Sequence, residues 1–323
     1  PAKPIVANFL GLDGIPDALR GERRGHEHEA GAQPGTRCLI PSFAFPEVAA
    51  RALGRAADYA AWRERPPGLP AKVEGIDLQA ARAVVDRALA GAGGEGDGDV
   101  WLDFITAAEL LDAYGIGAAP AVRAASPEDA ADAAGRLGFP VALKVGAGAI
   151  VHKTDVGGVR LGLTSPDDVR SAYEQMTGRL GGAMGGVIVQ KMADPGVETI
   201  VGVVRDPVFG PLIMFGIGGI ATELVGDRTF GVVPLTDRDA AEMVRSLRST
   251  PLLTGFRGSQ PVDLAALEDV LLRVAHLAEQ VPEVAEMDLN PVIATPAGAV
   301  TVDCKIRLVR AEVRHERDLR RLR

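Results

Sequence analysis

Aromatic side chains are scarce, at 4% of 323 residues, so a core has to be filled by Val, Leu, Ile and Ala. That composition favours helices packed on sheets. Cysteine is nearly absent: Cys38 and Cys304 stand far apart and fit no metal-ligand spacing, which argues against a disulfide framework and for a reducing, cytoplasmic compartment. An excess of positive charge is missing as well. With 35 Lys and Arg against 43 Asp and Glu, the net charge of −8 offers no overall footprint for nucleic acid or an anionic membrane. No apolar run reaches the roughly 18 residues of a membrane span, and PAKPIVANFLGLDGIPD lacks the basic region and cleavage site of a signal peptide. An apolar strand directly after Pro1 reads instead as the interior of a longer chain.

What is present is 47% hydrophobic and 24% charged, enough for one large or two ordinary domains. Short strands are expected at 5–10 and 38–40, a charged Gly-rich stretch at 20–35, and a helix opening at Pro46 and running to Trp62. Two strands and a helix are too few for an α/β domain, so residues 1–66 look like the end of one. Residues 67–100 read as a linker carrying one helix at 77–90, closed by GAGGEGDGD at 91–99. From Trp101 the pattern is regular, to a charged tail at 311–323. Ser126-Pro127-Glu128-Asp129 and Ser165-Pro166-Asp167-Asp168 each supply a hydroxyl cap, a first-turn proline and acids at the positive end of the helix dipole. Strands are predicted at 140–145, 157–163, 187–192, 197–204, 211–215, 291–294 and 299–304, with helices at 106–113, near 238–248 and at 264–280. The order is that of an α+β fold with antiparallel pairs.

Lys144 stands in the apolar strand PVALKV, where its ammonium either emerges beside an anion such as phosphate or snorkels to a strand end. GAGAIVHKTDVGG follows, its glycines bracketing His152, Lys153, Thr154 and Asp155. An imidazole there can accept a phosphoryl group, act as a base or satisfy a loop hydrogen bond. At Gln190-Lys191-Met192 the backbone can meet a purine rim and Glu198 can accept from ribose hydroxyls; the alternative is a plain hairpin with an exposed acid. Gly216, Gly218 and Gly219 would let N–H groups approach a phosphate, with Glu223 following, although no Walker A lysine is present. In EMDLNPV, alternation sets Glu286, Asp288 and Asn290 on one face and Met287 and Leu289 on the other. A turn at 295–298 brings Asp303 back opposite Asn290, and hard oxygens so placed suit magnesium, with a solvated acidic face as the competing account.

Taken in order, ALKV, VHKTDVGGVRLGL, VIVQKM, VETIVGVVRDPVFGPLIMFGIGGIATELVGD, PLLTGFRG and EMDLNPV…VDCKIR resemble the ATP-grasp domain of the NDP-forming acyl-CoA synthetases over about 101–310. The segment IPSFAFPEVAARALGRAADYAAWRERPPG resembles the end of the flavodoxin-like CoA-ligase domain that precedes it in single-chain members. The resemblance implies a smaller lid subdomain at about 118–192 and a larger one at 193–310. It also implies ATP or ADP and Mg2+ as ligands, with Lys144 on the phosphates, Val151, Gly218 and Gly219 among the nucleotide contacts, and Gln190, Lys191 and Met192 as the adenine hinge. Glu198 would hold the ribose, Asn290 and Asp303 the magnesium, and His152 would carry a phosphoryl group to and from the nucleotide. CoA and the acyl group, as acyl-CoA or acyl phosphate, would be handled by upstream domains, in a homo-oligomer or a complex with a CoA-binding subunit. The family's other phosphorylated histidine has no match here, since His26 and His28 do not fit its motif. The resemblance extends to proteins in which this module is fused to a protein N-acetyltransferase, where it would sense nucleotide or CoA.

Overall fold

The computed structural model describes residues 4–9, 13–22, 37–66, 68–91, 99–146, 158–219 and 226–310. Contacts divide the chain into two units, Pro1–Pro67 and Gly68–Arg323.

In the first unit, β1 (Ala7–Asn8) pairs in parallel with β4 (Ser42–Phe43), and β2 (Arg20–Glu22) pairs antiparallel with β3 (Arg37–Leu39). The strand expected at 5–10 is thus only two residues long among those described. Helix α1 (Pro46–Glu64) starts on its proline and buries Ala49 alone. Tyr59 and Trp62 stack on its exposed surface with ring centroids 5.7 Å apart.

The second unit holds two sheets. In the small one, the order is β6 (Ala121–Ala124), β9 (Val187–Lys191), β7 (Val141–Val145), β8 (Val159–Leu163), all antiparallel. Helices α4 (Pro127–Leu137) and α5 (Pro166–Leu180) pack against it. Both begin as their sequences foretell: Ser126 Oγ accepts the Asp129 N–H at 3.1 Å, and Ser165 and Asp168 exchange a full capping box. The large sheet runs β12 (Arg228–Val232), β11 (Gly210–Ile217), β10 (Val197–Asp206), β13 (Val284–Thr295), β15 (Cys304–Leu308), β5 (Val100–Trp101), with β14 (Gly298–Thr301) beside β13. One face is covered by α2 (Leu78–Gly91), α3 (Phe104–Ala113), α6 (Asp237–Arg245) and α8 (Leu264–Gln280); a short helix α7 (Thr250–Leu253) adds Leu253. Among the described residues no helix is long and apolar enough to cross a membrane.

Three differences from the sequence expectations matter. Helix α2, expected in a linker, buries Ala81, Val84 and Val85 in the large core, because its apolar stripe meets α3 rather than solvent. Strand β13 is twelve residues long where 291–294 was expected. It runs through Pro291 because an extra residue bulges there: Thr199 faces Val292 and Val201 faces Leu289, leaving Asn290 and Pro291 opposite Ile200 alone. The strand expected at 299–304 is instead two, β14 and β15, parted at Val302 and Asp303.

Candidate functional site

Side chains paired across β6, β9 and β7 share a face, and on the small sheet the face away from α4 and α5 carries Arg123, Gln190 and Lys144. Lys144 is 5% exposed, with Leu143 and Val145 fully buried on either side. A buried ammonium has to be matched. Its Nζ donates to the Val302 carbonyl at 2.8 Å, stands 3.9 Å from Asp303 Oδ2 and lies 5.3 Å from the centre of the Phe104 ring. Gln190, 1% exposed, donates from Nε2 to the same Val302 carbonyl at 3.0 Å and to the Ala119 carbonyl at 3.4 Å. Arg123 pairs with Asp103 at 2.5 Å. Asp103 caps α3 by accepting the Ile105 and Thr106 N–H groups. Burial pushes its carboxyl up, but the Thr106 hydrogen bonds and the Arg123 charge outweigh it and leave the group below the usual carboxylate range.

The large sheet brings main chain to the same place. Where β14 gives way to β15, the Val302 N–H donates to the Pro291 carbonyl at 2.9 Å and the Asn290 N–H to the Asp303 carbonyl at 3.0 Å. Asp303 Oδ1 accepts the Cys304 N–H at 3.0 Å, so its other oxygen is the one turned towards Lys144. Met287 and Leu289 are buried as alternation requires, with Asn290 exposed at the bulge. Glu286 is engaged elsewhere, by Arg307 Nε at 3.2 Å. Asp303 and Asn290 are thus brought together, with Lys144 and Gln190 above them. Two oxygen-bearing side chains on an accessible strand end fit a magnesium ion that keeps its remaining positions for phosphate and water.

Glu198 is exposed at the head of β10, and its carbonyl accepts the Gly218 N–H at 2.7 Å. A Cβ at Gly218 would lie 3.2 Å from that of Glu198, a tight approach that would press the two strands apart by a few tenths of an ångström. At the end of β9 the Lys191 and Met192 N–H groups donate to the Pro120 and Pro140 carbonyls at 2.9 and 3.1 Å. Lys191 Nζ is turned to the Gly138 and Phe139 carbonyls at 2.9 and 2.8 Å, so it braces this corner. Val151, His152 and Glu223 lie outside the described residues. Sequence reasoning missed Val302, Asp103 and Phe104. A contributing carbonyl leaves no trace in residue identity, whereas Asp103 ahead of an apolar helix is a cap signal that could have been read.

The chain matches the model of the ATP-grasp domain over residues 95–308. It is 40% identical over 275 residues to acetate–CoA ligase [ADP-forming] I of Archaeoglobus fulgidus, covering 83% of this chain and 38% of that protein. To the β subunit of acetate–CoA ligase [ADP-forming] I of Pyrococcus furiosus it is 38% identical over 205 residues, 62% of this chain and 88% of that subunit. Among solved structures it resembles the dinucleotide-forming acetyl-coenzyme A synthetase 1 of Ca. Korarchaeum cryptofilum, in complex with coenzyme A and Mg-AMPPCP and with its phosphohistidine segment pointing towards the nucleotide site. That match has a TM-score of 0.62 and 39% identity, over 71% of this chain and all of the other.

Proposed function

As the chain belongs to the ATP-grasp family and is homologous to ADP-forming acetyl-CoA synthetases, we propose that it is the nucleotide-binding part of an NDP-forming acyl-CoA synthetase. It would pass a phosphoryl group between ATP or ADP and a histidine relay coupled to acyl-CoA thioester chemistry. The observation that carries this reading is the convergence of Lys144 and Asp303 on one point between the two sheets. Lys144 would hold nucleotide phosphate, as its ammonium is desolvated and aimed at the site. Asn290 and Asp303 would hold Mg2+, which when bound neutralises phosphate charge and orients the transferring group. Glu198 would accept from the ribose hydroxyls, and Gly218 and Gly219 would lend backbone to the phosphates. At the corner of Gln190, Lys191 and Met192 two N–H groups are already engaged, so main-chain carbonyls would be the atoms that meet an amino-bearing base.

His152, beside Val151, would be the phosphoryl acceptor: a ring nitrogen bonds to the γ-phosphorus as the bond to the ADP oxygen breaks. Acyl and CoA recognition would fall to a CoA-binding domain or subunit, as the β-subunit relative suggests. The test is His152→Ala in the complex with that partner. ATP–ADP phosphoryl exchange is expected to vanish while ATP affinity stays within about twofold, since the nucleotide contacts lie on other residues. Lower affinity with exchange intact would make His152 a loop-ordering residue, and binding without exchange in the unaltered complex would fit a nucleotide-sensing module instead.

A further inference from the structure

The Val302 carbonyl accepts two side chains from the small sheet, Lys144 at 2.8 Å and Gln190 at 3.0 Å. Two donors occupy both lone pairs of a carbonyl oxygen, so the peptide plane joining Val302 to Asp303 cannot rotate without breaking one. That plane sets the direction in which Asp303 leaves the main chain. The remaining described hydrogen bonds of this dipeptide, to Pro291, Asn290 and Cys304, all come from the large sheet. Gln190 and Lys144 are therefore its described hydrogen-bonding ties to the small sheet.

The two ties are not equivalent. Lys144 is the group proposed to contact phosphate, and an ammonium drawn towards a phosphate weakens its hold on the carbonyl. Gln190, an uncharged amide, is not drawn to phosphate, and it has a second, longer hydrogen bond to the Ala119 carbonyl at 3.4 Å. Ala119 is itself tied to Thr301, its N–H donating to the Thr301 carbonyl at 2.8 Å. A buried amide here also carries a cost, since Gln190 Oε1 has no hydrogen-bond partner among the described residues. An apolar side chain would avoid that cost in a strand whose Val187, Ile188 and Val189 are all buried. A glutamine that is expensive as an acceptor is explained by its work as a donor.

We infer that Gln190 is a positioning residue for the metal: by holding the Val302 carbonyl it fixes the peptide from which Asp303 projects, and so sets Mg2+ affinity without touching Mg2+. This rests on the reading of Asn290 and Asp303 as the metal ligands.

The test uses the full chain with ADP and Mg2+ as probes. Calorimetry measures the Mg2+ concentration that half-saturates the ADP-bound protein, and separately ADP affinity in EDTA. In Gln190→Met, which keeps length and main chain and loses the side-chain donor, half-saturating Mg2+ is expected to rise about five- to tenfold, with any fall in ADP affinity in EDTA smaller than that, since the base contact proposed for this corner is main chain. Gln190→Leu, compatible with the apolar run of β9, should do the same, and thermal melting checks that each variant is folded. Equal losses with and without Mg2+ would make the Gln190 side chain a nucleotide contact and overturn the inference. So would an unchanged Mg2+ requirement in both variants while Asp303→Ala raises it. If Asp303→Ala also leaves it unchanged, the metal reading itself is what fails.

Discussion

The small sheet packs its helices with alanine: Ala130, Ala131, Ala133 and Ala134 of α4 meet Val141, Leu143 and Val189. The large sheet is filled by branched and longer chains, Leu267, Leu271 and Val274 of α8 against Ile213, Phe215 and Leu289. Each sheet buries one face under helices and carries candidate site side chains away from that face. The two open faces carry opposite chemistry. From the small sheet come Arg123, Gln190 and Lys144, all hydrogen-bond donors on long stems; from the large sheet come Asn290 at the bulge and Asp303 at the break between β14 and β15, short, oxygen-bearing and tied to each other through main chain. On the proposed reading the ligand is an anion bound to a cation, and a magnesium nucleotide would need both sets.

The contrast in packing predicts opposite responses to volume changes. Leu271→Ala opens a cavity in the large core and should cost about 2–5 kcal/mol, read as a lower denaturant midpoint for the Gly68–Arg323 unit. Ala134→Leu should cost about 1–3 kcal/mol by overpacking, because Ala134 is fully buried in the small core. If Ala134→Leu were neutral, the small core would hold slack and the distinction between the two would fail.

The contrast in chemistry predicts that removing the cation leaves the fold and loses the ligand. Lys144→Met should weaken ADP and ATP binding roughly 10- to 100-fold, in line with about 1.5–3 kcal/mol for a charge-assisted contact. Calorimetry checks this, and melting should stay near that of the parent protein.

The smallest effect concerns Asp103, which joins α3 to Arg123 of the small sheet. Its carboxyl is held below the ordinary value, so its contribution is complete above the unfolded pKa of about 3.9 and is lost as pH falls through the lower folded value. Asp103→Ala should therefore cost about 1 kcal/mol near pH 7, with the charge-dependent part of the difference fading below about pH 4. A gap that widened on acidification would contradict the assignment.

Much of this was legible in sequence, and the failures have physical causes. Helix α8 has the bounds 264–280 that its apolar period gives, and both Ser-Pro helix starts cap as expected. Strands β5 and β6 were missed, since two and four residues are too few to show a period, and β12 was missed because Arg228 and Gly231 interrupt its apolar pattern. Pro291 hid the length of β13, because a proline inside a run argues against a strand unless a bulge absorbs it. Nothing in VTVDC marks the break at Val302. Residue type and alternation single out Lys144, Asn290 and Asp303, which the fold brings to one place; the carbonyl that gathers Lys144 and Gln190 leaves no such mark, because only tertiary pairing selects it.

The claim that the two open faces meet on one magnesium nucleotide is tested most directly by titrating Mg-ATP into the full chain and into Asp303→Ala. Loss of one of two protein oxygens from the cation should leave phosphate charge poorly neutralised and lower affinity in magnesium by more than about tenfold, or 1.4 kcal/mol, while affinity in EDTA changes little. Equal Mg-ATP affinity in the two proteins would make Asp303 structural and contradict the account.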